Sequence, residues 1–179
     1  MRFLKVITCC LLFSSLPYLL GAQTKDSQQG PQSLRDFVQG FYSWYVPHAL
    51  SDSAGSAWEF AIKEKSSAFS PQLVQALRRD SAAQAKTTSE IVGLDFDPFL
   101  AAQDPCENYE VGRITQRVES YLVDIYGVCS GKKHEKPDVI AELQHKNGHW
   151  LFVNFHYPQD RNLLAVLKSL QENRRKASD

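Results

Sequence analysis

The sequence predicts an α+β domain in which N-terminal helices pack on an antiparallel sheet and a C-terminal helix follows. Three observations lead to this class. Apolar residues recur at helical spacing between residues 33 and 84, strand-like alternation begins near Tyr109, and an amphipathic helical pattern follows Pro158. Helices followed by a run of strands are typical of α+β folds.

The chain begins with the pattern of a secretory signal peptide. Arg2 and Lys5 precede an uncharged apolar run of about 15 residues, shorter than the roughly 20 that a spanning helix needs. The small residues Gly21 and Ala22 then favour cleavage near Ala22. We therefore expect residues 1–22 to be a signal peptide, no stable membrane span after cleavage, and a periplasmic or secreted protein. An uncleaved anchor is the alternative.

The remaining chain is nearly neutral. The full sequence has 20 basic and 20 acidic residues, and loss of Arg2 and Lys5 leaves a slight acidic excess. Nucleic-acid binding usually leaves a basic footprint, which the short runs GKKHEK and RRK do not supply, so we expect no nucleic-acid partner. Residues 23–32 are polar and predict a flexible leader, and residues 33–179 predict a single domain.

Two cysteines, Cys106 and Cys129, lie outside the predicted signal peptide. An even pair in an exported chain favours a disulfide bond. A buried thiol pair or one reactive thiol are the alternatives. A reactive thiol needs electropositive neighbours, whereas Asp104 and Glu107 flank Cys106. The pair is therefore expected to be structural.

The first predicted helix carries an aromatic stripe. Ser33 fits its N-cap and Pro47 closes it. Its apolar side chains are Leu34, Phe37, Val38, Phe41, Trp44 and Tyr45. We interpret the stripe as core packing, with a ligand-stacking wall as the alternative. A weaker helical or turn segment covers residues 58–69, and a clearer helix begins at Ser70 with Pro71 in its first turn.

The dipeptide Asn147-Gly148 predicts a two-residue hairpin turn. This turn pairs Lys146 with His149. The predicted inner face, directed at the helices, carries Val139, Ala141, Leu143, His145, Trp150, Phe152, Asn154 and His156. The wetter outer face carries Ile140, Glu142, Gln144, Lys146, His149, Leu151, Val153 and Phe155. An exposed patch of Leu151, Val153 and Phe155 would favour a protein partner, or a homodimer through the outer sheet face.

Strands are also predicted upstream, over residues 109–117 and 118–130, and a helix is predicted after Pro158 with Leu163 and Leu167 on its apolar stripe. Asn154 is the most informative polar residue because the predicted register places its amide on the inner face. A buried amide must find partners. It is either tied to the backbone or exposed in a cavity.

The hairpin register argues against a metal site formed by the histidines between His134 and His156. His145 and His156 would be separated by roughly 20 Å, and His149 would point to the opposite face. The sequence therefore predicts no metal and no cofactor.

The loop LDFDPFLAAQDPC, residues 94–106, combines aromatic rings with aspartates. A calcium loop of the EF-hand type is a weaker alternative, because Pro98 and Phe99 stand where glycine and further ligands are needed. We expect the loop to bury Phe96 and Phe99 and to use carboxylates such as Asp97 to satisfy backbone N–H groups.

No constellation for nucleophilic catalysis is visible, since a G-x-S-x-G elbow and a glycine-rich phosphate loop are both missing. General acid–base chemistry in a pocket remains, with Asp97, Asp124 or His156 as the acid or base and Asn154 and Tyr42 as hydrogen-bonding partners. The candidate pocket residues are Tyr42, Asp97, Asp124, Trp150, Asn154 and His156.

At FVQGFYSWYV, LDFDPFLAAQD and HWLFVNFHYP the chain resembles a bacterial family of exported proteins catalogued as domain of unknown function 3828. The resemblance covers roughly residues 34–157. It implies the nuclear transport factor two-like fold, in which helices form a cone against a strongly curved antiparallel sheet, with a pocket between them. It implies no established activity and no catalytic residue. In enzymes of that fold an Asp–His pair lines the cavity, and Asp97 with His156 would be such a pair.

These observations favour an exported, non-enzymatic module that binds a small ligand or a partner protein. Two alternative functions belong to other classes of protein. One is a small isomerase, dehydratase or hydrolase that uses acid–base residues in the cavity. The other is a partner-specific inhibitor or immunity-type protein that acts through the wetter sheet face.

Overall fold

A computed structural model describes residues 26–51, 55–87, 90–158 and 160–178. The described helices are α1 (Asp26–Ala49), α2 (Ala57–Glu64), α3 (Pro71–Gln84) and α4 (Leu163–Ser178), with a 3₁₀ turn at Ser66–Ala68. The described strands are β1 (Asn108–Gln116), β2 (Tyr121–Cys129), β3 (Lys132–Lys133), β4 (Val139–Lys146), β5 (His149–Tyr157) and β6 (Arg161–Asn162). They form one antiparallel sheet in the order β1-β2-β4-β5-β6, with β3 paired to β2. The predicted α+β class is confirmed.

The helices differ from the prediction at the boundaries of α1. This helix begins at Asp26 and continues through Pro47 to Ala49, and Ser33 donates its hydroxyl to the Gly30 carbonyl instead of capping the helix. The predicted signal peptide and the first residues of the predicted leader lie outside the described residues. None of the described helices combines the length and the apolar character of a membrane-spanning segment.

The hairpin turn is confirmed. Asn147 and Gly148 both adopt positive φ, 53° and 80°, as a type I′ turn requires. The four pairs nearest the turn have the predicted register, from Lys146–His149 to Leu143–Phe152. The register then shifts, because Glu142 pairs with Asn154 and leaves Val153 as an extra residue in β5.

This bulge corrects the predicted faces of β5. One inserted residue reverses the alternation of side chains beyond it. Phe155, predicted to lie outside, is therefore fully buried, and Tyr157 is buried beside it. Asn154 and His156, predicted to face the helices, lie on the outer side and pair with Glu142 and Ile140 respectively. The predicted exposed patch of Leu151, Val153 and Phe155 is therefore wrong for Phe155, which lies in the core.

Helix α1 covers the free edge of the sheet. Arg35 donates hydrogen bonds of 2.7 Å to the Val111 and Gly112 carbonyls, at an irregularity in β1. Gln39 accepts from the Val111 N–H and donates to the Tyr109 carbonyl. These side chains occupy backbone groups that an edge strand would otherwise offer to another chain. Strand addition at this part of β1 is therefore disfavoured.

The disulfide predicted between Cys106 and Cys129 is present. It links the end of the loop before β1 to the end of β2. At the other side of the domain, Asn162 caps α4, because its side-chain oxygen accepts from the Ala165 N–H at 3.0 Å.

Candidate functional site

The space between the helices and the sheet is filled by aromatic side chains. Phe99 is fully buried and its ring centroid lies 4.9 Å from Phe155 and 5.2 Å from Phe69. Phe41 packs 4.9 Å from Phe152 on the same side of the sheet. All buried side-chain nitrogen and oxygen atoms of the described residues have hydrogen-bond partners. The described part of the chain therefore presents a packed core at the position where the sequence analysis expected a pocket.

The loop of residues 94–106 closes this core. Two buried tyrosines hold it, since Tyr42 donates its hydroxyl to the Phe99 carbonyl and Tyr157 donates to the Pro98 carbonyl, both at 2.8 Å. Burial raises the pKa of Tyr42 well above its ordinary value, as does the neighbouring Asp97. The Tyr42 hydroxyl thus remains a protonated donor. Phe96 packs edge-on against Tyr157, so both predicted aromatic rings face the core.

The six candidate pocket residues do not converge. Tyr42 lies in the core, while Asp97 lies in the closing loop. Trp150 lines a recess of about 610 Å³ near the start of α1, and its indole donates to the Ser33 hydroxyl. The other three lie on the outer side of the sheet.

On that outer side each of the three residues has a local partner. Asp124 is buried and lies 3.4 Å from the Arg113 guanidinium. His156 and Glu142 are 2.8 Å apart. Asn154 donates to the Asn162 side chain and accepts from the Leu164 N–H, so it connects β5 to the start of α4. The predicted Asp97–His156 pair is therefore divided between the core side and the outer side of the sheet.

Asp97 has the structural role that the sequence predicted for the loop carboxylates. One of its oxygens accepts from the Phe99 and Leu100 N–H groups at 2.9 and 3.1 Å, and the other accepts from the Tyr45 hydroxyl. Burial raises the pKa of Asp97 from 3.8 to about 6, although these hydrogen bonds oppose the rise. Its acceptor positions are thus used to hold the loop.

The raised pKa of Asp97 predicts a pH-dependent difference between the protein and its Asp97→Asn variant. The folded carboxyl binds its proton more tightly than the unfolded one, so its contribution to stability is complete below pH 3.8 and is lost as the pH rises through about 6. Asparagine is neutral throughout. The free energy of unfolding of the variant, relative to the unchanged protein, should therefore rise by about 2 kcal/mol between pH 4 and pH 7.

Urea unfolding at both pH values measures this difference. Asp95→Asn, which removes an exposed carboxylate from the same loop, is the matched control, and the effect at Asp97 must exceed it. If the free energy of unfolding depended on pH in the same way in the unchanged protein and in Asp97→Asn, the raised pKa of Asp97 would be contradicted.

Among the described residues, an exposed aromatic surface lies where α1 meets α2. We call it the aromatic patch and define it as Trp44, His48 and Phe60. Phe60 is 40% exposed and stacks on Trp44 and His48, with ring centroids 5.9 and 5.0 Å apart. The Lys65 ammonium lies 5.1 Å above the Trp44 ring.

Polar residues surround the aromatic patch. A recess of about 560 Å³ beside Phe60 is also lined by Ser56, Glu59 and Lys63. Aromatic residues surrounded by a polar rim are typical of protein-binding surfaces. Sequence reasoning missed the patch because it assigned Trp44 to the core and treated residues 58–69 as a weak segment. The four-residue spacing of Trp44 and His48 was a usable signal, since such residues are neighbours on one helix face.

Comparisons with known proteins concern the fold. No family model matches the chain, and no curated protein matches it significantly. Among solved structures, the fold is similar to that of a chain in the type VI native effector-immunity complex Tae3-Tai3 from Ralstonia pickettii. The TM-score is 0.50 and the identity is 18%, over 73% of this chain and 97% of that chain. This chain therefore shares its fold with a component of an effector-immunity complex.

Proposed function

We propose that this chain is a partner-specific immunity protein that binds one toxic effector protein through its surface and neutralises it. The observation that carries the proposal is the fold shared with nearly the full length of a chain from an effector-immunity complex. Features of this chain's own interior and surface support the same conclusion.

The packed interior supports action through the surface. The core position that a small ligand would need is occupied by Phe99 and its aromatic neighbours. Asp97, the candidate acid or base, uses its carboxylate oxygens within its own loop and with Tyr45. A protein partner is therefore better supported than an enclosed ligand or acid–base catalysis. The N-terminal signal pattern supports an exported protein, which would meet its partner in the periplasm or outside the cell.

The aromatic patch is the better-supported contact surface, in preference to the outer sheet face. On the outer face the Tyr126 ring lies over Gly112, and the Lys133 ammonium lies 4.6 Å above that ring. Two of its polar side chains, Asp124 and His156, also already pair with neighbouring side chains on the same face. Phe60 instead presents an exposed ring backed by Trp44, and exposed aromatic anchors contribute most to protein–protein binding.

Neutralisation of a toxic partner tests the function. The tagged chain is used to capture proteins from the exported fraction of its native cells, and each captured protein is then purified and expressed alone in a test strain. We expect one captured protein to arrest growth, coexpression of this chain to restore growth, and the two to form a complex of fixed stoichiometry. Captured proteins that are harmless, or toxicity that this chain leaves unchanged, would overturn the proposal.

The contact surface is tested with Phe60→Ala in the purified complex. Removal of this exposed ring should weaken binding by about 10- to 100-fold, the range of a hot-spot residue. The matched control is Val118→Ala, which trims an exposed apolar side chain at the turn between β1 and β2. Leu151→Gln tests the outer sheet face. If Leu151→Gln lost affinity and Phe60→Ala did not, the interface would lie on the outer sheet face instead.

A further inference from the structure

The disulfide belongs to a cluster of four metal-ligating or ligand-orienting side chains. Cys106 Sγ lies 3.8 Å from His134 Nε2, and the ligand atoms of Cys106, Cys129 and His134 all lie within 4.8 Å of one another. The other ring nitrogen of His134, Nδ1, lies 2.9 Å from an Asp138 oxygen. An imidazole with one nitrogen facing the ligand position and the other facing a carboxylate has the arrangement of metal-binding histidines.

Gly127 of β2 forms the floor of this cluster. A Cβ atom at this position would lie 2.8 Å from Cys106 Sγ and within 3.3 Å of polar atoms of Asp138 and His134. The Gly127 N–H donates to Asp138 Oδ2 at 2.6 Å, and its carbonyl accepts from the His134 N–H at 3.0 Å. Both the side chain of Asp138 and the backbone of His134 are thus held over one glycine. The backbone bond continues the β2–β3 pairing, and the Asp138 side chain places a carboxylate beside the His134 imidazole.

We propose that reduction of the disulfide converts this cluster into a Zn²⁺ site with Cys106 Sγ, Cys129 Sγ and His134 Nε2 as ligands. Two thiolates and one imidazole are ligands that zinc prefers. In a tetrahedral site the ligand atoms lie roughly 3.3 to 3.8 Å apart. The Cys106–His134 separation of 3.8 Å already meets this range, whereas the two sulfurs must separate by roughly 2 Å once their bond is broken. Asp138 is a positioning residue that orients the imidazole.

The conversion requires a dithiol as reductant. One thiolate of the dithiol attacks Cys129, the less buried of the two cysteines, and the electron pair of the broken S–S bond passes to Cys106. The second thiol of the reductant displaces Cys129, which yields an oxidised dithiol and two protein thiols. Zn²⁺ then binds both sulfurs as thiolates and releases two protons.

The site has access to solvent. The His134 side chain is 43% exposed, so an ion can reach the cluster and a water molecule can complete a four-coordinate shell. The metal would link the loop before β1 to the end of β2, which is the connection that the disulfide makes in the oxidised chain. The loop before β1 would therefore stay linked to β2 under both reducing and oxidising conditions.

Zinc titration of the full chain tests the proposal. Cys9 and Cys10 are replaced by serine to remove other thiols. The protein is reduced with dithiothreitol, freed of reductant without oxygen, and titrated with Zn²⁺ by calorimetry in competition with a chelator. We expect one Zn²⁺ per reduced chain and none per oxidised chain. Co²⁺ should give the thiolate charge-transfer absorption only with the reduced chain.

Two variants separate this site from adventitious binding. Asp138→Asn should weaken Zn²⁺ binding about 10- to 100-fold, as expected for loss of the carboxylate that orients a ligand, and His134→Gln should weaken it at least as much. His149→Ala, at the exposed hairpin turn, should leave the affinity unchanged. Circular dichroism checks that each reduced variant is folded. Equal binding by reduced and oxidised chains, no binding by the reduced chain, or full affinity in His134→Gln would overturn the proposal.

Discussion

Phe99→Ala is expected to lower the free energy of unfolding by about 3–5 kcal/mol, the usual cost of a large cavity in a packed core. Phe99 is fully buried, and its ring contacts rings from α1, the sheet and the segment before α3. These elements cannot collapse into the space independently, because Tyr42 and Tyr157 also fix the backbone of the loop. The effect is measured from the midpoint of urea unfolding at constant m-value.

The matched control for Phe99 is Phe60→Ala, the same truncation at an exposed ring. Its cost should stay below about 1.5 kcal/mol, because much of that side chain already contacts water. Similar losses for the two variants would contradict the assignment of Phe99 as the centre of the core.

Asp80→Ala is expected to destabilise the protein by about 3–5 kcal/mol, the range for breaking a buried ion pair. Asp80 is 1% exposed. Its carboxylate accepts from Arg174 Nη1 of α4 at 2.7 Å and from the Leu94 N–H at 2.8 Å. Gly93 allows this approach, since a Cβ there would lie 2.9 Å from the carboxylate. The substitution therefore weakens the connection of α3 to both α4 and the closing loop.

A double-mutant cycle with Arg174→Ala measures the coupling within this pair. The exposed pair of Lys168 and Glu172 on the same helix is the control, and Glu172→Ala should change stability by less than about 0.5 kcal/mol. Additive effects of the Asp80 and Arg174 substitutions would show that the two side chains do not stabilise the fold as a pair.

Much of the fold was predictable because its signals are local. The cap at Ser70, the turn at Asn147 and Gly148 and the helical stripe after Pro158 depend on residues close together in sequence. A count of the cysteines favoured the disulfide, since one pair remains outside the signal pattern, and the structure contains it.

The bulge at Val153 was not predictable from alternation. Strict alternation beyond Phe152 places Asn154 and His156 on the inner face, whereas the observed register places Phe155 there, packed against Phe99 from a distant loop. The burial of Asp80 was not predictable from local sequence either. A charged residue in a helix suggests a solvated face, and its cation lies 94 positions away in the sequence.

The succession of helices and strands and the hairpin turn could be predicted from the amino-acid order, because they depend on local geometry. The same order favoured the pairing of Cys106 with Cys129, because few alternatives existed. Long-range packing established which side chains of β5 face inward, and it filled the interior. It also brought together the aromatic patch and the cluster over Gly127. Each of these features depends on contacts between segments far apart in the chain, which no local pattern encodes.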